Sequence, residues 1–261
     1  MIINTGMRTD IPAFYSKWLL KRIEEGFVYV RNPYNRNQIT RYELNPKVVD
    51  CLAFCTKNPH PLIEHLEELD KFRQFWFVTI TPYFKDIEPN VPDKKMVIED
   101  FKMLSKHLGK NAVALRYDPI IITEKYTVDY HIECFDRLLS QLEGYTEDCT
   151  ISFVDIFKKV EKNAPEFREV TDEEQIEIAK AFKEIGDKYS VTVHACCEKE
   201  SLKDYGIDIS GCMSKEIVEK AIGEKLNVPK ITSKREGCNC LMGNDIRNVQ
   251  HVQAFLQILL C

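Results

Sequence analysis

The chain has 261 residues, of which 44% are hydrophobic and 30% are charged, and its formal net charge is −5. This composition is typical of a globular protein and excludes a disordered or fibrous chain. The negative net charge argues against a protein that binds duplex nucleic acid mainly through phosphate contacts.

Short apolar segments alternate with longer amphipathic ones along most of the chain. The pattern predicts strands at residues 1–4, 27–31, 48–55, 75–81, 112–116, 150–155 and 191–195. It predicts helices at residues 12–25, 62–72, 94–108, 128–142, 171–189 and 214–223. Thr171 and Glu174 have the spacing of a capping box at the start of one helix. Residues 31–42 are expected to form an irregular excursion or a small hairpin.

Strands that alternate with helices over short connections predict a parallel sheet with right-handed crossovers. Seven predicted strands and six predicted helices favour an α/β protein with a TIM-like (β/α) barrel, complete or partial. A doubly wound open sheet is the alternative. The alternation fades near residue 196. We therefore expect a barrel domain at 1–195, an irregular Cys-bearing C-terminal appendage of the same domain at 196–246, and a distinct tail at 247–261.

Polar residues follow the predicted strands at their carboxyl ends, where (β/α) folds carry their chemistry. Five of them are expected to form a catalytic rim: Arg8, Asp10, Lys57, Arg116 and Asp118. Such a rim suits an anionic or highly polar small substrate, because guanidinium groups pair bidentately with carboxylate or phosphate. A structural polar network that holds the loops together is the alternative.

Ten cysteines are present, and we expect a cytoplasmic protein because the sequence has no membrane-spanning run and no signal peptide at its start. A disulfide framework is therefore not expected. Four cysteines are interpreted as structural: Cys51, Cys55, Cys134 and Cys149. Five others lie in predicted irregular backbone and are candidate ligands of zinc or an iron–sulfur cluster: Cys196, Cys197, Cys212, Cys238 and Cys240.

Short motifs are spread along the chain at residues 8–15 (RTDIPAFY), 55–59 (CTKNP), 79–83 (TITPY), 116–119 (RYDP), 151–155 (ISFVD) and 237–240 (GCNC). Together they resemble the bacterial family known as domain of unknown function 1848, up to Ile246. The resemblance implies a radical-SAM-like protein, because members carry a C-x3-C-x2-C cluster similar to the one that binds [4Fe-4S] in that superfamily. It implies a [4Fe-4S] cluster, S-adenosylmethionine and an electron donor, but no particular substrate.

The sequence departs from the family pattern after Ile246. The family continues with its cysteine cluster, whereas this chain continues with residues 247–261 (RNVQHVQAFLQILLC). Back-translation of this tail, read one nucleotide later, permits three cysteines at the required spacing. We expect a frame-shifted tail, real or from a sequencing error, and a chain that is inactive in radical chemistry. The alternative is a genuine C-terminus that forms a short amphipathic helix.

The leading interpretation is a radical-SAM-like iron–sulfur protein that acts on a polar or anionic substrate, either a small molecule or a modified macromolecule. Whether it is an enzyme stays open. One alternative is a zinc-stabilised barrel hydrolase or lyase that uses rim carboxylates and His194. This histidine lies at the carboxyl end of the strand predicted at 191–195 and is equally well interpreted as a buried structural histidine. The other is a non-catalytic protein that binds a metal or a ligand.

Overall fold

The computed structural model of the protein describes residues 1–6, 8–32, 34–35, 37–228 and 238–246. The strands within these residues are β1 (Ile2–Asn4), β2 (Phe27–Arg31), β3 (Ile39–Glu43), β4 (Cys51–Thr56), β5 (Gln74–Thr79), β6 (Val113–Ile120), β7 (Asp148–Phe153), β8 (Thr192–Ala195) and β9 (Asn244–Asp245). The α-helices are α1 (Ile11–Glu25), α2 (His60–Ile63), α3 (Leu66–Leu69), α4 (Lys94–Leu108), α5 (Val128–Leu142), α6 (Lys158–Asn163), α7 (Asp172–Lys188) and α8 (Lys215–Ile222), and a 3-10 helix covers Glu200–Tyr205.

Seven strands form one sheet in the order β8-β7-β6-β5-β4-β1-β9, and each neighbouring pair is parallel. Helices lie in the connections between most of these strands, so the predicted α/β class with a parallel sheet is confirmed. Strands β8 and β9 are the two edges, and the described residues contain no ladder that joins them. A complete barrel therefore stays a prediction.

One face of the sheet, which we call the outer face, carries the larger hydrophobic core. Alternate strand residues supply Leu52, Phe54, Trp76, Val78 and Leu115. Helices α1, α4, α5 and α7 supply Leu19, Phe101, Phe135 and Phe182, respectively. This arrangement follows from the strand period, because successive side chains point to opposite faces and the amphipathic helices cover one of them.

The opposite face, which we call the inner face, carries a second, smaller core. Its strand residues are Ile2, Cys51, Ala53, Phe75, Phe77 and Ala114. The chain after β8 covers them with Met213, Ile217, Val218, Leu226, Cys240 and Leu241. Burial of each large apolar side chain contributes about 1.5–3 kcal/mol, so this contact fixes the C-terminal segment against the sheet.

Two predicted elements differ from those observed. Residues 27–31 form β2, which pairs antiparallel with β3 in a separate two-stranded sheet outside the main sheet. Only one side of β2 is buried, whereas the strands of the main sheet are buried on both sides. The helix predicted at 62–72 is divided into α2 and α3, because His65 leaves the helical region at φ −118° and ψ 14°.

The capping box at the start of α7 is confirmed. The Thr171 side chain accepts a hydrogen bond from the Glu174 backbone N–H, and the Glu174 side chain accepts one from the Thr171 backbone N–H. None of the helices in the described part of the chain combines the length and the hydrophobicity needed to cross a bilayer.

Candidate functional site

A cavity of about 390 Å³ opens at the carboxyl ends of β1, β4, β5 and β6. Its floor is polar and consists of Asp10, Thr56, Lys57, Thr79, Arg116 and Asp118. The connections that follow β5 and β7 form its roof. They supply the apolar residues Ile87, Val91, Val154, Val160 and Phe167 together with the polar residues Asp86, Glu88, Asn90, Asn163 and Glu166. A ligand of matching size would contact both charged groups and hydrocarbon.

Four of the five predicted rim residues line this cavity: Asp10, Lys57, Arg116 and Asp118. Arg8 lies outside the lining, and its backbone N–H donates to Asp245 Oδ2 at 2.9 Å. Because Asp245 belongs to β9, this contact ties the loop after β1 to the sheet edge. The structure thus places Arg8 beside the cavity wall and brings the other four residues together.

Asp10 is the N-cap of α1 and is almost completely buried. Its Oδ1 accepts a hydrogen bond from the Ala13 N–H at 2.9 Å, and its Oδ2 accepts one from the Lys57 N–H at 2.8 Å. Burial raises the pKa of Asp10 to about 6, although hydrogen bonds from Thr56 and from these amides favour the charged form. The cavity floor therefore gains a negative charge near neutral pH.

Glu88 joins two lysines at one end of the cavity. Lys57 Nζ donates to Glu88 Oε1 at 2.5 Å, and Lys94 Nζ pairs with the other carboxylate oxygen. Thr81 Oγ1 adds a hydrogen bond to Oε1 at 2.8 Å. Burial raises the pKa of Glu88, but the two ammonium groups outweigh it and the net pKa is lowered. Lys57 is thus positioned in the cavity by a carboxylate that stays ionised.

Arg116 and Asp118 form a second charged group on the floor. Their side chains are both buried and make an ion pair, and Ser152 Oγ donates to Asp118 Oδ1 at 2.5 Å. Arg116 Nη1 also donates to Cys55 Sγ at 3.5 Å, and the guanidinium lies 5.6 Å from the centre of the Phe77 ring. These contacts hold the guanidinium plane in one orientation, beside the carboxyl end of β5.

Sequence reasoning missed several polar residues of this cavity, among them Glu88 and Cys55. Glu88 follows β5 by nine residues, in a connection whose path the local sequence does not determine. Cys55 was interpreted as structural, but it lies at the carboxyl end of β4 on the inner face and lines the cavity. Burial raises the pKa of its thiol, which keeps the thiol protonated. The spacing of Cys55 from Cys51 on one strand face was the signal that could have placed it.

Four of the five predicted metal ligands form a chain of sulfur contacts, which we call the thiol cluster: Cys196, Cys212, Cys240 and Cys238. Cys212 Sγ lies 3.6 Å from Cys196 Sγ and 3.5 Å from Cys240 Sγ. Cys238, two residues before Cys240, interacts with the Cys240 thiol and is counted as the fourth member. The described residues contain no group of three or more His, Cys, Asp or Glu side chains already positioned to hold a metal ion. Cys197, the fifth, is half-buried with φ at 58° in the left-handed region.

The thiol cluster and the cavity lie on the same side of the sheet. Glu198, close to the thiol cluster, accepts a hydrogen bond from the Phe153 N–H at 2.8 Å. Burial raises its pKa to about 7, with smaller contributions in the same direction from the charges of Asp155, Cys196 and Asp118. Glu198 therefore stands between a cavity residue, Asp118, and a cluster residue, Cys196.

His194 is held in a structural ion-pair network. Its Nε2 lies 2.8 Å from Asp148 Oδ1 and its Nδ1 lies 3.4 Å from Asp208 Oδ2. Burial lowers the pKa of His194, but the two carboxylates raise it to about 9. Both ring nitrogens are therefore protonated at neutral pH, and neither has a lone pair for a metal. Because carboxylates contact both ring nitrogens, the structure favours the interpretation of His194 as a buried structural histidine.

The comparisons with known proteins give a family and no activity. A family model described as Domain of unknown function (DUF1848) matches residues 2–252. The chain belongs to this family. No curated protein matches the chain significantly.

A solved structure described as a putative alpha-L-fucosidase from Bacteroides thetaiotaomicron VPI-5482 is similar at 10% identity and a TM-score of 0.33. The match covers 62% of this chain and 51% of that structure's chain, so the DUF1848 chain is similar to about half of that protein. The likeness is too weak to support an argument about fold or activity.

The cysteine motif that the family resemblance implies falls on the tail at 247–261, which lies outside the described residues. The frame-shift hypothesis for that tail therefore stays a prediction. The division of the chain at residues 195 and 246 also stays a prediction.

Proposed function

We propose that this DUF1848 protein binds a small polar molecule with an anionic group in the cavity at the strand ends. The convergence of Lys57 and Arg116 with Asp10 and Asp118 on one floor carries the proposal. Both cations have carboxylate partners, so the floor is balanced in charge and suits a ligand with acidic and hydrogen-bonding groups together. An anionic group of the ligand would approach Lys57 and Arg116, the two cations of this floor.

The roof supports a ligand that also has an apolar part. Ile87, Val160 and Phe167 belong to the apolar part of the lining, which the connections after β5 and β7 supply. A cavity of about 390 Å³ falls within the usual range for small-molecule sites. The proposed ligand therefore has the size of a small metabolite with a polar end and a hydrocarbon end.

The proposed chemistry is that of a radical-SAM-like iron–sulfur enzyme. The family resemblance supports this part of the proposal. A [4Fe-4S] cluster with S-adenosylmethionine supplies a radical that can abstract hydrogen from an unreactive carbon. The thiols of Cys196, Cys212, Cys238 and Cys240 do not fit a [4Fe-4S] cluster. Each cysteine that binds such a cluster is bonded to a different iron, so the cysteine sulfurs cannot be in contact with one another. Its ligands would come from the C-x3-C-x2-C motif of a frame-corrected chain.

The cavity is tested with a panel of small carboxylates, phosphates and amino acids, using ligand-observed NMR and thermal stabilisation of the full chain. We expect binding of at least one anionic compound to wild type and its loss in Lys57→Met and Ala164→Phe, which remove a charge and fill the cavity. Ala181→Phe on α7, away from the cavity lining, is the matched control. Equal binding by wild type and Ala164→Phe would show that the cavity is not the site.

The radical-SAM part is tested separately with a frame-corrected chain purified without oxygen. We expect a brown protein that cleaves S-adenosylmethionine to 5′-deoxyadenosine on reduction, whereas the chain printed here does neither. A colourless frame-corrected protein after iron and sulfide reconstitution would contradict the radical-SAM proposal and leave the cavity proposal intact.

A further inference from the structure

We propose that Cys196, Cys212, Cys238 and Cys240 form a mononuclear thiolate metal site, with Zn²⁺ as the expected ion, that fastens the two edges of the parallel sheet. This site is separate from any cluster of the radical-SAM type. It does not depend on the ligand proposed for the cavity.

The sulfur spacing is that of a single-ion site. In a tetrahedral zinc site with Zn–S bonds of about 2.3 Å, the sulfurs lie about 3.8 Å from one another. Cys212 Sγ is 3.6 Å from Cys196 Sγ and 3.5 Å from Cys240 Sγ, so two of these separations are nearly met. Cys238 lies two residues before Cys240 and is the proposed source of the fourth sulfur.

The described cysteines are not arranged around a single metal position. Rotation of their side chains is therefore needed to complete the metal site. Three of them, Cys196, Cys212 and Cys238, are only half-buried, so their thiols can turn. The backbone already brings the segments together. Gly211 has φ at +97°, and a Cβ on it would lie 3.0 Å from Cys240 Sγ, so glycine is needed for Cys212 to approach Cys240.

The position of the thiol cluster indicates a structural role for the metal ion. Cys196 directly follows β8, one edge of the sheet, and Cys240 precedes β9, the other edge, by four residues. Backbone contacts also hold the described parts of the segment between the edges. His194 bridges to Asp208 in parallel, and the Leu241 N–H donates to the Met213 carbonyl at 2.8 Å.

A metal ion at the thiol cluster would thus join the two sheet edges, where a closed barrel would have a continuous ladder of hydrogen bonds. A structural zinc site contributes folding free energy directly, because its ligands are brought together only in the folded state. The sheet edges and the inner-face core between them would then depend on the ion.

The test is metal analysis of the full chain, purified without chelators and under reducing conditions. We expect about one zinc ion per chain. Replacement of zinc by Co²⁺ should give the intense thiolate-to-cobalt charge transfer and the visible bands of tetrahedral sulfur coordination. Absence of metal with all thiols free, a disulfide between cluster cysteines, or iron with inorganic sulfide in place of zinc would each overturn the proposal.

Cysteine-to-serine variants test which residues bind the ion. Cys212→Ser and Cys240→Ser should lower the zinc content at least tenfold and abolish the cobalt bands. Cys134→Ser on α5, also half-buried but outside the thiol cluster, should keep both. A chelator should lower the melting temperature of wild type and Cys134→Ser but not that of Cys212→Ser. Full zinc retention in the double variant Cys212→Ser/Cys240→Ser would refute the site, and the wild-type measurements decide the case if a variant does not fold.

Discussion

Gly6, beyond the carboxyl end of β1, lies directly against Cys55 at the end of β4, so that a Cβ on Gly6 would be 2.5 Å from the Cys55 carbonyl oxygen. Both residues line the cavity. The absence of a side chain at Gly6 therefore determines how closely two neighbouring strands approach at the floor of the candidate site.

Gly6→Ala should destabilise the protein by about 1–3 kcal/mol, because the methyl group overlaps backbone atoms that cannot move independently. It should also abolish ligand binding in the cavity. The measurement is urea unfolding combined with the binding panel. Gly144→Ala, at φ +78° with open space around its Cβ position, should cost about 1–2 kcal/mol from backbone strain and leave binding unchanged. Wild-type binding by Gly6→Ala would contradict this prediction.

Glu88→Gln should destabilise the protein by about 2–3 kcal/mol. The substitution leaves the ammonium groups of Lys57 and Lys94, which are mostly shielded from solvent, without their shared counter-charge. Chemical denaturation measures the difference. Glu224→Gln removes an exposed pair with Arg73 and should change stability by less than about 0.5 kcal/mol. Equal effects of the two substitutions would show that the buried charge group is unimportant.

The raised pKa of Asp10 should appear as a pH dependence of stability. Below about pH 4 both the folded and the unfolded chain hold the proton, and above about pH 6 both have released it. Between these values only the folded chain keeps it, so the free energy of unfolding falls as pH rises, by about 3 kcal/mol in total.

Denaturation curves from pH 4 to 7 measure this effect, and Asp10→Asn should remove that part of the slope. Asp93→Asn, which alters the exposed N-cap of α4, should retain it. Carbon NMR should show a carboxyl group that titrates near pH 6 in wild type and is absent in Asp10→Asn. A pKa of Asp10 near 4 would contradict its burial in the cavity floor.

The raised pKa of His194 should make the free energy of unfolding depend on pH in a higher range than that of Asp10. Its pKa is raised from 6.5 to about 9 in the folded protein, so its stabilising contribution is complete below pH 6.5 and is lost as pH rises through 9. We expect a loss of about 3 kcal/mol over this range in wild type. His194→Gln should flatten the profile, and His65→Gln, an exposed histidine, should not. A wild-type profile that is already flat would show that His194 is neutral.

The floor of the candidate site could be predicted to a useful extent from the sequence. The rule that parallel strands carry their chemistry at their carboxyl ends was sufficient to select Asp10, Lys57, Arg116 and Asp118, and all four line one cavity. Arg8 satisfies the same rule but lies outside the lining, because its backbone is held by Asp245 of β9. A strand of two residues near the C-terminus is too short for periodicity to detect.

The sequence by itself determined the α/β class, the positions of most strands and helices, and the capping box of α7, because these depend on periodicity and on contacts within a few residues. Only the tertiary structure decided that the C-terminal segment covers the inner face and that Cys196, Cys212 and Cys240 meet. It also decided that His194 lies between two carboxylates and that Glu88 reaches Lys57. The contacts between these cysteine, histidine and charged side chains join residues 14 to 46 positions apart. They form because burial of the whole sheet fixes the path of the connections, and no local pattern in the sequence records that path.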